Sequence, residues 1–449
     1  MTDHDAAPAA GAGHSDPQRA AVPEARRSPA HVQEVVSPGG VRAWLVEEHA
    51  VPLLALEFAF VGGSSQDPAR RPGVANMLSG LLDEGAGPYD SDAFQEQLAD
   101  YAVELRFSAD RDAFRGSLKT LAANLPKAAE LLRLALAEAR LDADAIERVR
   151  GQIIAGLRHD ASNPEVMAMR AFNAMAFGDH PYGRPARGDP DSVAAITRDD
   201  LSAYRAGVLA RSNLHVAAVG AIDAAGLAAL LDVVFGDLPQ AADLVGTPQV
   251  TVGAPGAVRV IDLDTPQTVV RFGAPGLARL DPDYMAAYVA NHILGGGVFS
   301  SRLFREVREK RGLAYGVSSG LYPMRHSAMF FGGVATQNAR VAESVAVIAG
   351  EIARMGAEGP TEEEVRLAKQ FLIGSYALHF DTSSKIAGQL LQLSLDGLDS
   401  GYIDRRNALV AAVTLEDVRR AAARFLDPAR LLVVAVGRPE GLAERPATA

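Results

Sequence analysis

The feature that most constrains the fold of this chain is an internal duplication. Residues 192–220 (SVAAITRDDLSAYRAGVLARSNLHVAAVG) match residues 409–437 (LVAAVTLEDVRRAAARFLDPARLLVVAVG) at a constant offset of 217 positions. In each copy a threonine, Thr197 or Thr414, precedes an acidic first helical turn and is a predicted helix N-cap. The helix runs into an apolar strand. A match over 29 positions predicts two homologous halves of about 200 residues each.

Each half has the same order of predicted elements and therefore the same fold class. A pair of strands opens each half, as in VRAWLVEEHA followed by LLALEFAFVGGSS, and alternating apolar residues mark the second of these as half-buried. Helices follow, such as PKAAELLRLALAEARL and TEEEVRLAKQFLIGSYAL, and a strand closes the half. This order predicts an α+β fold with helices packed on one face of each sheet. The predicted halves span residues 30–240 and 255–440, joined by a linker near residues 238–257.

Composition excludes several classes of function. The net charge is −11, so nucleic acid is not expected as the main partner, because phosphate neutralisation needs clustered Lys and Arg. There is no cysteine, which excludes disulfides, thiolate nucleophiles and Cys-ligated metals. No segment approaches about 18 continuous apolar residues, so no membrane span or membrane partner is expected. Residues 1–29 are rich in Ala, Pro and Gly and are predicted to be disordered. They lack a secretory pattern, which favours the cytoplasm and leaves a periplasmic location open.

Common catalytic motifs are missing, and the most distinctive segment is NHILGGGVFSSRLFREVREKRGLAYGVSS, residues 291–319. An apolar helix there ends in a triple glycine, Gly295, Gly296 and Gly297, which either caps the helix or allows close backbone approach. The next stretch is predicted to be helical and to stop at Gly312 before a strand. Arg308 and Tyr315 can converge across this turn on a peptide carbonyl or developing oxyanion. Spacing alone favours a plain surface role for Arg308 and core packing for Tyr315.

The segment GGGVFSSRLFREVREKRGLAYGVSS resembles the second-half signature of the M16 metallopeptidases, the family of pitrilysin, insulinase and mitochondrial processing peptidase. The duplicated halves and GGSSQDPARRPGVANMLSGLLDEG are similar to that family too, so the resemblance covers roughly residues 31–440. It implies a clamshell of two halves. It also implies that Arg308 and Tyr315 contact substrate and support the transition state, and that Gly295, Gly296 and Gly297 touch or guide substrate.

The zinc machinery of active family members is absent. Those members carry H-x-x-E-H on a first-half helix, with two zinc-binding His and a Glu as general base. The resemblance places these positions on Asn76, Ser79 and Gly80, and it places the third ligand on Gly156, in the helix that contains ERVRGQI. Glycine has no ligating side chain, and Asn and Ser are poor zinc ligands. This sequence therefore predicts no metal in the chain itself. The nearby Glu84 is expected to be a solvated helix-end carboxylate.

The resemblance thus implies the non-catalytic, substrate-binding subunit of a heterodimeric M16 zinc peptidase, inactive alone. The partner would be an M16 chain with intact H-x-x-E-H, which would supply zinc, and the substrate would be a peptide or unfolded polypeptide. One alternative is a structural scaffold subunit derived from the same family, without a role in proteolysis. Another is an enzyme active alone through unusual ligands.

Overall fold

A computed structural model describes residues 31–447, and the predicted tail over residues 1–29 lies outside that range. The strands of the first half are β1 (Val32–Val36), β2 (Arg42–Glu47), β3 (Leu53–Val61), β4 (Glu104–Ala109), β5 (Ala113–Leu121) and β6 (Leu214–Gly220). Its α-helices are α1 (Val74–Ser79), α2 (Ser91–Asp100), α3 (Leu125–Ala137), α4 (Ala143–Asp160), α5 (Pro164–Phe177), α6 (Pro190–Ala194), α7 (Arg198–Val208) and α8 (Ala224–Phe235).

The second half repeats this arrangement. Its strands are β7 (Val258–Asp262), β8 (Gln267–Pro275), β9 (Ala314–Met324), β10 (Ser327–Gln337) and β11 (Leu432–Gly437). Its α-helices are α9 (Tyr284–Asn291), α10 (Val341–Glu358), α11 (Glu362–Gly374), α12 (Ser383–Leu395), α13 (Tyr402–Ala412) and α14 (Leu415–Phe425). The predicted α+β fold with two homologous halves is confirmed. Within residues 31–447 no helix is both long and apolar enough to cross a bilayer.

The duplicated helix–strand unit behaves as the sequence predicts. Thr197 caps α7 and Thr414 caps α14, and each threonine hydroxyl accepts the N–H of an aspartate three residues later, at 3.2 and 3.1 Å. In the opposite direction, the carboxylate of Asp200 accepts the backbone N–H of Thr197 at 2.8 Å. The carboxylate of Asp417 accepts that of Thr414 at 3.0 Å. Both units are therefore complete capping boxes.

Strand order differs from the predicted opening pairs. The first sheet has the order β1-β2-β6-β3-β5-β4 and the second β7-β11-β8-β10-β9. The two strands predicted to open each half, β2 and β3 in the first and β7 and β8 in the second, do not pair with each other. The duplicated strand, β6 or β11, lies between them, parallel to the first and antiparallel to the second. The physical reason is burial, because β11 is buried along its whole length and β6 along most of it, and such apolar strands occupy sheet centres.

Each sheet carries its own helices on one face, as predicted, and one or two helices from the other half on the opposite face. In the first half, Leu54 and Phe58 of β3 pack into the core with α3 and α8. The opposite face of that sheet is covered by α12 and α13 of the second half. Reciprocally, α5 of the first half covers the second sheet, where the ring of Phe172 stands 5.0 Å from that of Phe331. This exchange joins the two halves of the clamshell through apolar cores.

The connection between the halves follows α8 and precedes β7. Gln66 of the first half clamps it, donating from its amide to the carbonyl of Val245 at 3.1 Å and accepting the Val245 N–H at 2.8 Å. Further along, the Val250 N–H donates to the carbonyl of His326 in the second half at 2.8 Å. The linker is thus fastened to both halves by hydrogen bonds.

Glu57 lies on the β3 face that the second half covers, and burial raises the pKa of its carboxyl to about 7 against the opposing attraction of Arg115. A raised carboxyl pKa means that folding favours the protonated form of Glu57 over the ionised form. The stability gained from the protonated carboxyl is therefore lost as pH rises from about 4.5 to 7. Glu57→Gln should therefore unfold at similar denaturant concentrations to wild type at pH 5. At pH 8 it should be more stable by about 1–2 kcal/mol, allowing for partial solvent screening.

Urea unfolding of both proteins at the two pH values checks this expectation. Glu96→Gln on the exposed face of α2 is the matched control and should leave the pH dependence unchanged. An equal effect of Glu57→Gln at both pH values would contradict it.

Candidate functional site

The first candidate region is the short helix α1 with the following Gly80, which together hold three of the four positions that the resemblance assigns to a zinc site. Asn76 and Ser79 are half-buried, and the Ser79 hydroxyl donates to the Asn76 carbonyl at 2.8 Å. Gly80 ends the helix, and a Cβ built on it would stand 3.3 Å from Cγ1 of Val149 on α4. The end of α1 therefore packs against α4, the helix that carries Gly156.

A buried aspartate holds the start of α1. The carboxylate of Asp67 accepts the N–H groups of Gly73 and Ala75 at 2.7 and 2.8 Å. Gly73 has φ of 106°, a left-handed conformation that favours glycine. Burial raises the pKa of Asp67 to about 7, although the hydrogen bonds at the helix start act in the opposite direction. Sequence reasoning missed this residue, which positions the degenerate motif.

A guanidinium occupies the space beside Gly156. A Cβ built on this glycine would lie 3.3 Å from Nη2 of Arg187, and Nη1 of the same side chain pairs with Asp160 at 2.8 Å. Among residues 31–447 there is no group of three or more His, Asp or Glu placed to hold a metal ion. The residues present do not fit zinc. The amide and the hydroxyl are poor zinc ligands, the two glycines have no ligating side chain, and the neighbouring guanidinium repels a metal cation.

The environment of Glu84 differs from the sequence-based expectation. Its carboxylate is not a freely solvated helix-end group, because Arg148 of α4 binds both its oxygens at 2.8 Å. The hydrogen bonds from Arg148 are the main reason why the pKa of Glu84 is lowered. This pair fastens the segment after α1 to α4.

The second candidate region is the turn between α9 and β9. The guanidinium carbon of Arg308 lies 4.4 Å from the ring centre of Tyr315 and 4.8 Å from that of Phe304. The two predicted residues therefore converge. Tyr315 is 84% exposed on the edge strand β9, so the core-packing alternative for it is wrong. Stacking on the ring holds the cation beside the phenol.

The turn has an unusual backbone. Residues Phe304–Glu309 form a π-helical segment where the sequence predicted an ordinary helix, and the N–H of Lys310 donates to the carbonyl of Arg305 at 2.9 Å. Gly312 then adopts φ of 57°, which lets the chain reverse into β9. Such segments are frequent at functional sites. Arg302 anchors the start of the turn, donating to both oxygens of Glu364 on α11 at 2.8 and 2.6 Å.

A second π-helical turn, His292–Gly296, follows α9; it contains Gly295 and Gly296, and Gly297 caps it. Gly295 is buried, and a Cβ there would meet the Ser319 hydroxyl at 2.3 Å, so glycine is needed for close packing on β9. Gly296 is exposed and Gly297 is half-buried. Two further residues, Asn291 and Ser319, tie this turn to β9 through hydrogen bonds of 3.2 and 2.8 Å. Sequence reasoning missed both, since neither carries a recognisable motif.

Arg308 and Tyr315 line a cleft of about 780 Å³ on the second half, to which the first half contributes Glu165. Phe299, 72% exposed, lines the same cleft. The lining also includes an ion pair between the halves, formed by Glu165 of α5 in the first half and Arg271 of β8 in the second. The cleft thus offers a cation, a phenol and aromatic surface beside an unpaired strand edge, which are groups that can bind an extended peptide.

Two family models and several curated relatives match this chain. The family model described as Insulinase (Peptidase family M16) matches residues 47–190, and the one described as Peptidase M16 inactive domain matches residues 195–372. A Mycobacterium tuberculosis protein named as an uncharacterized zinc protease is 30% identical over 417 residues, covering 89% of this chain and 93% of its own. The non-peptidase homolog YmxG of Helicobacter pylori is 28% identical over 341 residues, covering 75% and 78%.

Solved structures also match this chain. A crystal structure of a peptidase M16 inactive domain from Pseudomonas fluorescens superposes with a TM-score of 0.86 at 30% identity, covering 93% of this chain and all of that one. A protease from Helicobacter pylori shares the fold, with a TM-score of 0.81 at 19% identity over 91% of this chain and 99% of that one. The chain therefore belongs to peptidase family M16, the insulinase family.

Proposed function

We propose that this chain is the non-catalytic, substrate-binding subunit of a heterodimeric M16 zinc peptidase. Zinc and the general base belong to a partner M16 chain with an intact H-x-x-E-H motif. This chain supplies Arg308 and Tyr315, and its cleft receives a peptide or unfolded polypeptide. The observation that carries the proposal is the contrast between the two regions. The Arg308–Tyr315 pair is held 4.4 Å apart and open to a cleft, while the four zinc positions have no suitable donors.

The chemistry assigned to each residue follows from its side chain. The phenol of Tyr315 donates a hydrogen bond to the oxygen that becomes negative as the peptide carbonyl is attacked. The guanidinium of Arg308 binds a substrate carbonyl or carboxylate and attracts the same developing charge. The exposed Gly296 and half-buried Gly297 leave backbone open to the substrate chain. Stacking of Arg308 on Phe304 and Tyr315 reduces the freedom that these groups lose on binding.

Association with the partner is the first expected result. Tagged chain purified from its native host should bring down a second M16 chain that carries intact H-x-x-E-H, identified by mass spectrometry. The purified pair should hydrolyse a quenched-fluorescent peptide that neither chain cleaves alone. Recovery solely as monomer or homodimer would contradict the proposal. A pair that forms but cleaves no peptide would favour the structural scaffold alternative.

A further inference from the structure

A second cavity of about 260 Å³ lies within the second half, bounded by α9, α11, α12 and α13. It shares no lining residue with the cleft that Arg308 and Tyr315 face. Four tyrosines line it: Tyr284, Tyr288, Tyr376 and Tyr402. Two arginines, Arg279 and Arg406, stand among these rings. The cavity therefore brings aromatic faces, phenol hydroxyls and cations together in one place.

Arg406 is the unusual member of this set, because it is a buried cation without an acidic partner. Its exposed fraction is 7%, and no carboxylate in the described residues 31–447 lies within 4.0 Å of its guanidinium. Nη1 donates to the carbonyl of Leu372 at 2.6 Å and to the side chain of Asn407 at 3.0 Å. The guanidinium stacks on Tyr376 at 4.4 Å. Burying a charge without a counter-ion is costly, so such a group invites an anion.

The rest of the lining does not supply that anion. Arg279 pairs with Asp396 at 3.3 Å, which leaves the lining with two guanidinium groups and one carboxylate. Arg279 also stacks between Tyr284 and Tyr402, at 4.6 and 5.0 Å. Burial raises the pKa of Tyr284 and of Tyr376 to about 12, so at neutral pH both phenols are neutral hydrogen-bond donors. The cavity carries an excess of one positive charge.

We propose that this cavity binds a small organic monoanion, a carboxylate attached to an aromatic ring. The carboxylate pairs with Arg406 and accepts hydrogen bonds from tyrosine hydroxyls, and the ring packs on the tyrosine faces. The cavity volume is about nine times the ~30 Å³ that one water molecule fills in the liquid, which gives room for a single substituted ring. One negative charge balances the excess of one positive charge.

Benzoate is the probe that tests this inference, and benzamide is its neutral counterpart of the same shape. Isothermal titration calorimetry on the full chain should give one benzoate site per chain, with benzamide at least tenfold weaker. Equal affinity for the two compounds would overturn the inference, because charge would then play no part. Absence of benzoate binding would overturn it as well.

Variants locate the site. Arg406→Gln should weaken benzoate binding at least tenfold and narrow the difference between benzoate and benzamide. The matched control is Arg405→Gln, one residue earlier on α13, where the exposed guanidinium pairs with Asp399 outside the cavity. It should bind benzoate like wild type. Unchanged benzoate binding by folded Arg406→Gln would place the anion elsewhere and overturn the inference. Should that variant not fold, the comparison of benzoate with benzamide on the wild-type chain still decides the question.

Discussion

Tyr315→Phe in the proposed heterodimer, once reconstituted, should lower kcat by roughly 10²-fold or more while leaving KM nearly unchanged. The substitution removes one hydrogen-bond donor from the developing oxyanion, and losing one such donor typically costs about this much in rate. It keeps the ring, and therefore the stacking of Arg308 at 4.4 Å. Because the side chain is 84% exposed, the stability of the chain should not change. An interaction made only in the transition state appears in kcat rather than in KM.

Arg308→Ala should behave differently, because a cation that contacts substrate acts in the ground state too. It should raise KM as well as lower kcat. The matched control is Tyr322→Phe on the same strand, where a half-exposed ring packs edge-on against Phe331 outside the cleft. Steady-state kinetics on a quenched-fluorescent peptide, with partner chain in excess, measures all three variants. If Tyr315→Phe and Arg308→Ala both keep wild-type rates while the heterodimer still forms, the pair is structural and the chain is a scaffold.

The parts of the fold that the sequence predicts are those encoded locally. The capping boxes of α7 and α14 each need only a threonine and an aspartate three residues apart. Both helix starts could therefore be predicted from a few consecutive residues. The long amphipathic helices follow in the same way from apolar spacing, as in α10 and α11. Because the chain is duplicated, the helices and strands predicted in one half also predict the order of elements in the other.

The parts that the sequence does not predict depend on contacts between distant residues. Insertion of β6 between β2 and β3 pairs Ala217 with both Trp44 and Glu57, and no local pattern records that choice. The exchange of α5 and α12 across the halves is equally non-local. Both helices have apolar faces, but periodicity does not say which sheet such a face will cover.

The candidate site likewise has features that the local sequence predicts and features that depend on contacts between distant residues. Arg308 and Tyr315 are separated by one turn, so their convergence could be predicted from spacing, whereas the exposure of Tyr315 depends on β9 being an edge strand. The π-helical register from Phe304 to Glu309 is set by packing and was missed. Arg187 had no signal either, because its position beside Gly156 arises from a loop that returns to α4.

Placing the active-family residues at the four degenerate positions should give a chain that retains about one zinc per molecule, where the wild-type chain is expected to retain none. The changes are Asn76→His, Ser79→Glu, Gly80→His and Gly156→Glu, which recreate two histidine ligands, a base and a carboxylate ligand. The backbone is compatible with them, because Gly80 has φ of −90° and its added Cβ would meet only the side chain of Val149 at 3.3 Å and a carbonyl at 3.7 Å. Metal analysis after exhaustive dialysis measures the result.

Two comparisons make this expectation specific. The same variant with Gly156 left unchanged has one protein ligand fewer and should lose its zinc on dialysis. Adding Arg187→Ala to the full set should strengthen zinc binding, because the guanidinium 3.3 Å from the added Cβ repels the metal and competes for the new carboxylate. If the wild-type chain itself holds about one zinc at these positions, or cleaves peptide alone, then the partner is not needed for chemistry. The division of labour proposed between the two subunits would then be wrong.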